Sequence, residues 1–486
     1  MSRKPGEPTS AQKPGGAGNA AISFIALSSQ QLSAFVITLL AAGVLGAGEY
    51  GVYTLAVVFV EFVVMLAYTG YFHFLVTSDE DETAVLSTTF WIMLGIGVLG
   101  GLVMVLTAGL VALAFDAPQL APVLRAFGLL QPFASMIGWA TAALTRAGRM
   151  RPYFLSLGVS NFGAMIGGTA ALLIWPSVYA LVIFRVIRIG LGIIFFGLSL
   201  NQRPSFLFDR RMARDATRYA AGLYGARLLT FFSNFGTDLV LAAIFSTAEA
   251  GLYRFANRIA SATVDLVAQP LRSFSLKSFG QAARTERPLA DVFALYFGMS
   301  ILLVGGAAVT LMILGPEAIR TLFHPEYAAA IIATQAMALR AFARVGQSMI
   351  EPVFSTRKTT NLAMWFNLAL AAAMLGSILA FANQGVTVLA IAQAGVQLIS
   401  LPLAIWAIAR GAEVDIWPGL RRAGLAMVLL TGFAAALWIS WWGLGQSGLA
   451  PGWRVGAGAL TALSLGGMAV AIAMKLQVLS LRAFAD

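Results

Sequence analysis

Eight arginines stand inside stretches that are otherwise apolar and about 20 residues long: Arg125, Arg185, Arg188, Arg227, Arg254, Arg258, Arg340 and Arg344. An arginine near the centre of a bilayer costs about 2.5–3.5 kcal/mol on insertion scales. Water, a carboxylate or a bound anion must offset that cost. The guanidinium group suits phosphate best, because its planar fork bonds two oxygens at once and stays charged at any relevant pH. Helical spacing sorts the charges onto faces. Arg254, Arg258, Ser261, Asp265 and Gln269 follow one another at steps of four, three, four and four, which is one helix stripe. Arg340, Arg344, Gln347 and Glu351 repeat that spacing, Arg227, Asn234 and Asp238 share a face, and Arg185 and Arg188 lie one turn apart.

Two readings of these stripes compete. In one, the eight arginines line a water-filled cavity and bind an anionic substrate. In the other, they pair with Glu61, Asp238, Asp265 and Glu351 and hold helices together. The four acids are also candidates for ion coupling, since a carboxylate at low dielectric is easier to protonate. Eight positive charges against four negative ones leave a surplus near +4, and that favours the cavity.

The elements that position these residues are membrane helices. The chain has 486 residues, of which 59% are hydrophobic and 11% charged, with a mean hydropathy of +0.82. A soluble protein carries about 25% charged residues. Long continuous apolar runs exclude a β-barrel. We expect an all-α polytopic protein with about fourteen transmembrane helices, from 20–45 to 455–474. The weakest expected span is 250–272. Of 32 basic residues, 22 fall on one side of the membrane, only Arg320 and Arg454 on the other, and eight within it. Basic loops stay in the cytoplasm, so both termini are expected there. The net charge of +11 is explained by this rule rather than by nucleic-acid binding. There are no cysteines, and His73 and His324 are far apart. No metal or cofactor is expected. No loop exceeds about 20 residues and no P-loop motif is present, so neither a glycosyltransferase-type enzyme nor an ATP-driven pump is expected.

The two halves echo one another. AGEYGVYTLA at 47–56 returns as AEAGLYRFAN at 248–257, matching Gly51 to Gly251, Tyr53 to Tyr253 and Ala56 to Ala256. LRAF recurs at 124–127 and 339–342, matching Arg125 to Arg340. The order and offset of these matches point to a duplication. We expect a cytoplasmic tail over 1–19, a six-helix lobe over 20–199, a basic linker over 200–218, a second lobe over 219–410, and two further helices within 411–486. Gly51 and Gly251 are read as tight interhelical turns.

The motif LGAGEYGVYTLA, its echo AGLYRFANRI, the basic loop before the seventh span and the fourteen spans resemble the polysaccharide-transport branch of the multidrug/oligosaccharidyl-lipid/polysaccharide flippase superfamily. The resemblance covers nearly the whole chain. It implies two pseudo-symmetric lobes around a central cavity, alternating access, and transport of an undecaprenyl-diphosphate-linked oligosaccharide across the bacterial inner membrane. Implied partners are that lipid-linked substrate and membrane lipids, with a polysaccharide polymerase and glycosyltransferases as candidate neighbours. The alternatives are a cation-coupled multidrug exporter of the same superfamily and a non-transporting component of a polysaccharide-assembly complex.

Overall fold

The computed structural model describes residues 17–68, 70–78, 81–244, 246–285, 287–356 and 360–476. The expected tail therefore lies outside the described residues except for its last three, which begin the first helix. Among the described residues there are sixteen α-helices and no strand. They are α1 (Ala17–Val44), α2 (Ala47–Tyr68), α3 (Tyr71–Thr77), α4 (Glu82–Ala114), α5 (Leu120–Arg146), α6 (Met150–Ile174), α7 (Val178–Ser199) and α8 (Arg210–Ile244). Then follow α9 (Thr247–Arg284), α10 (Leu289–Leu322), α11 (Ile331–Ala343), α12 (Val345–Thr356), α13 (Thr360–Phe381), α14 (Val386–Gly411), α15 (Trp417–Gly445) and α16 (Pro451–Lys475).

Eleven helical segments among the described residues are long and apolar enough to cross a membrane. Two of them are composite: Ala47–Thr77 joins α2 to α3, and Pro325–Phe354 joins a 3-10 turn to α11 and α12. Of the other three expected spans, those on α1 and α8 run over residues whose side chains lie outside the described set, and α9 holds Arg254, Arg258 and Asp265, whose charges lower its hydropathy. At about 1.5 Å per residue, the 38 residues of α9 reach roughly 57 Å, well beyond a hydrocarbon core of about 30 Å.

The chain forms two compact units. The first comprises Phe59–Ala108, Pro122–Arg227 and the described part of Met1–Ile37. Its core gathers Leu75, Leu86, Phe90, Met93, Trp139 and Phe196 with Met212, Ala216 and Ala220 of α8. Trp139 meets the edge of Phe90 at 5.1 Å and donates its indole N–H to the Leu86 carbonyl at 2.9 Å, so no polar atom of the ring is stranded. Gly70 leads into α3 with φ +68°, and a Cβ there would stand 2.4 Å from Ala220, so both backbone and packing require glycine. Arg146 donates to the carbonyls of Leu75 and Ser78 at 2.7 Å and so satisfies the carboxyl end of α3.

The second unit comprises Thr38–Val58, Gly109–Ala121 and the described part of Leu228–Asp486. In it α2 crosses α9, and the echoed glycines meet at the crossing. A Cβ on Gly51 would lie 1.7 Å from the Thr247 carbonyl oxygen, and one on Gly251 would lie 2.3 Å from the Ala47 carbonyl oxygen. Each glycine thus faces the residue four positions before the other. Both lie inside helices, where they permit close backbone approach; the tight-turn expectation is corrected accordingly. Near this crossing Glu326 accepts the first backbone N–H of α2, that of Ala47, at 2.7 Å, which places a carboxylate at a positive helix end.

Candidate functional site

In the first unit Glu61 on α2 and Arg185 and Arg188 on α7 line one cavity of about 340 Å³. Arg185 approaches Glu61 at 3.7 Å, a loose ion pair, while its guanidinium lies over the Phe127 ring at 5.2 Å. Tyr68, Tyr153, Ser135, Thr141, Ser160 and Asn161 supply the rest of the polar wall. Of these, Asn161 donates to Ser29 at 3.1 Å and Ser160 to its own helix, which fixes both groups. The cavity therefore carries two cations against one carboxylate. The other two arginines of this unit, Arg125 on α5 and Arg227 on α8, are exposed and outside its lining.

In the second unit the charges run along α9. Asp238 on α8 is fully buried and accepts from Arg254 at 2.9 Å, with the guanidinium also 5.0 Å from the Phe235 ring. One turn on, Arg258 feels Arg254 and Asp265 electrostatically, and Asp265 feels Arg344 and Arg258. No ion pair joins Asp265, Arg258 or Arg344 among the described residues. Arg344 is exposed at the one-residue turn between α11 and α12, where the backbone keeps helical dihedrals, and the expected span over 328–350 falls within the single segment Pro325–Phe354. Glu351 beyond that turn binds Arg272 on α9 at 2.5 Å and is counter-ion to an arginine outside the predicted eight.

Arg340 has neutral partners. Its Nη1 donates to Gln393 Oε1 at 2.7 Å and to the Tyr253 hydroxyl at 3.2 Å. That hydroxyl donates to the same amide oxygen at 2.6 Å, and the Gln393 amide N–H reaches Thr237 at 3.2 Å. Four helices, α8, α9, α11 and α14, meet in this network. Sequence reasoning missed Gln393. Its signal was present: Gln393, Gln397 and Ser400 recur at steps of four and three within an apolar helix, the pattern used for the arginine stripes. Gln397 donates to Ser400 at 2.9 Å, and Gln347 donates to Asn367 at 3.1 Å.

Arg185 and Arg254 have carboxylates at ion-pair distance. Among the described residues Arg125, Arg227, Arg258, Arg340 and Arg344 have none.

A family model described as polysaccharide biosynthesis protein matches residues 40–332, more than half of the chain. The chain belongs to that family. Within it, the chain is similar to the succinoglycan biosynthesis transport protein ExoT of Rhizobium meliloti, with 25% identity over 300 residues. That match covers 60% of this chain and 60% of the relative's own length. The fold is similar to that of the lipid II flippase MurJ in an inward closed conformation, with a TM-score of 0.73 at 13% identity, over 94% of this chain and 99% of the other. It is also similar to an inward-facing multidrug resistance MATE family transporter of the MOP superfamily, with a TM-score of 0.61 at 12% identity, over 83% of this chain and 98% of that one. At such identities the likeness establishes the fold. The resemblance read from LGAGEYGVYTLA and its echo is thereby confirmed, and the protein is a multi-pass helical membrane protein.

Proposed function

We propose that this protein is a flippase that carries an undecaprenyl-diphosphate-linked oligosaccharide across the bacterial inner membrane by alternating access. The observation that carries the reading is the set of arginines without a carboxylate, Arg258 and Arg344 foremost. A guanidinium kept in a membrane segment without a counter-ion is poised for an anion that arrives and leaves. A diphosphate fits that description, and membership of a polysaccharide biosynthesis family supports a lipid-linked glycan precursor as the substrate. A multidrug exporter shares the fold, yet a surplus of arginine over carboxylate in the membrane segments disfavours the cationic compounds such a transporter would carry. The distribution of Lys and Arg supports a cytoplasmic position for both termini. Lobes of six helices and the cavity between them remain part of this proposal, as do a polymerase and glycosyltransferases as neighbours.

The reading is tested by measuring, in cells lacking the protein, which leaflet holds the lipid-linked glycan. Accumulation on the cytoplasmic side, reversed by the intact gene and not by Arg258→Ala at equal protein level, is expected. Normal outer-leaflet delivery without the protein would overturn the reading.

A further inference from the structure

The segment that joins α7 to α8 holds three apolar side chains outward: Phe206 is 98% exposed, Phe208 51% and Leu207 45%. The segment is pinned. Ser205 accepts at its carbonyl from the Trp91 indole at 3.0 Å, and its N–H donates to the Ser87 hydroxyl at 3.0 Å. Asp209 donates its N–H to Thr88 at 3.1 Å, and its carboxylate accepts from the N–H groups of Arg211 and Met212 at 2.8 and 3.2 Å, which caps α8. A loose loop would fold its phenylalanines inward. This one is anchored to α4 at both ends and keeps them out, with Phe206 stacked on Trp91 at 5.5 Å. Such exposure calls for an apolar environment outside the protein.

The surrounding charge identifies it. Arg203, Arg210, Arg211, Arg214 and Arg218 are all exposed around the tip, whereas within residues 203–218 Asp209 is occupied as a cap and Asp215 is the one other acid. The segment begins one residue after α7, a membrane-length apolar helix, ends. Tryptophan and flanking arginine at that level are the chemistry of a bilayer surface. We propose that residues 203–214 form a rigid hook that binds acidic phospholipid, with Phe206, Leu207 and Phe208 entering the acyl boundary and the arginines holding headgroup phosphates. The hook sets the depth of the first turns of α8, the helix that carries Arg227 and Asp238.

The absence of cysteine lets a single site be labelled in the full chain. A nitroxide attached through Leu207→Cys is reconstituted in phosphatidylcholine vesicles with and without phosphatidylglycerol. Collision with oxygen, relative to a water-soluble nickel chelate, should rise several-fold in the acidic vesicles. The variant Arg210→Gln/Arg211→Gln/Arg214→Gln should lose that rise, while Arg421→Gln/Arg422→Gln, in another basic loop, should keep it. Equal depth in both vesicles would remove acidic lipid as the ligand. A label that faces water in both vesicles, yet is immobilised in native membranes, would assign the surface to a protein partner and overturn the proposal.

Discussion

At the scale of the residue, the described ion pairs separate arginines that hold helices from arginines with no carboxylate at ion-pair distance. Asp238 and Arg254 belong to the first kind. Removing one partner of a buried pair leaves an uncompensated charge, at a cost of about 3–5 kcal/mol. Arg254→Ala should therefore lower the melting temperature of the purified protein clearly, because Asp238 is buried with no other cation at ion-pair distance among the described residues. Asp265 contrasts with it. It has no ion pair among the described residues, so Asp265→Asn should change stability by less than about 1 kcal/mol. Thermal unfolding of the two variants side by side checks the ordering; equal losses would put Asp265 in a structural pair. The arginines themselves were legible from the sequence because a charge in an apolar run is conspicuous. Their partners were not. Glu351 satisfies the stripe spacing of Arg344 yet turns to Arg272, since a helix pattern records which face a side chain shares and not which neighbour packs there. Gln393 is uncharged and so escaped a search made for charge, although it collects more bonds than any predicted acid.

At the scale of the element, the crossing of α2 and α9 rests on two glycines. Gly51→Ala would force a methyl group against the Thr247 carbonyl, and Gly251→Ala would do the same to that of Ala47. Each should cost about 1–3 kcal/mol or more, because backbone cannot move aside as a flexible side chain can. Gly306, within α10, has nothing within 4 Å of the position a Cβ would take. Gly306→Ala should stabilise by roughly 0.5–1 kcal/mol through helix propensity alone. Denaturation of the three variants in detergent checks the contrast, and a harmless Gly51→Ala would deny the close crossing. The glycine and tyrosine positions shared by 47–56 and 248–257 pointed in the sequence to α9 where apolarity did not. The second expected span, 51–71, already ended beside Gly70, whereas the one-residue turn at Arg344 was not visible, since it lies in an apolar run without a proline at that point.

At the scale of the whole molecule, orientation follows from charge. Reporter fusions after Arg151, Arg218, Arg287 and Arg422 should all report the cytoplasm, and an external signal at Arg218 would reverse the topology. The membrane class was legible in the composition and the family in LGAGEYGVYTLA and its echo, although overall identity with a protein of like fold is only 13%. The transported glycan was not, because an arginine reads charge and geometry rather than the sugars behind a phosphate. The most direct measurement of the central claim uses the purified protein in liposomes with a labelled undecaprenyl-diphosphate-linked oligosaccharide, and follows protection of the glycan from an external glycosidase. The intact chain should move the glycan between leaflets. Arg344→Ala should abolish that movement without loss of folded protein, and Arg344→Lys, which keeps the charge but not the fork, should restore part of it. Undiminished movement in Arg344→Ala and Arg258→Ala would contradict the account.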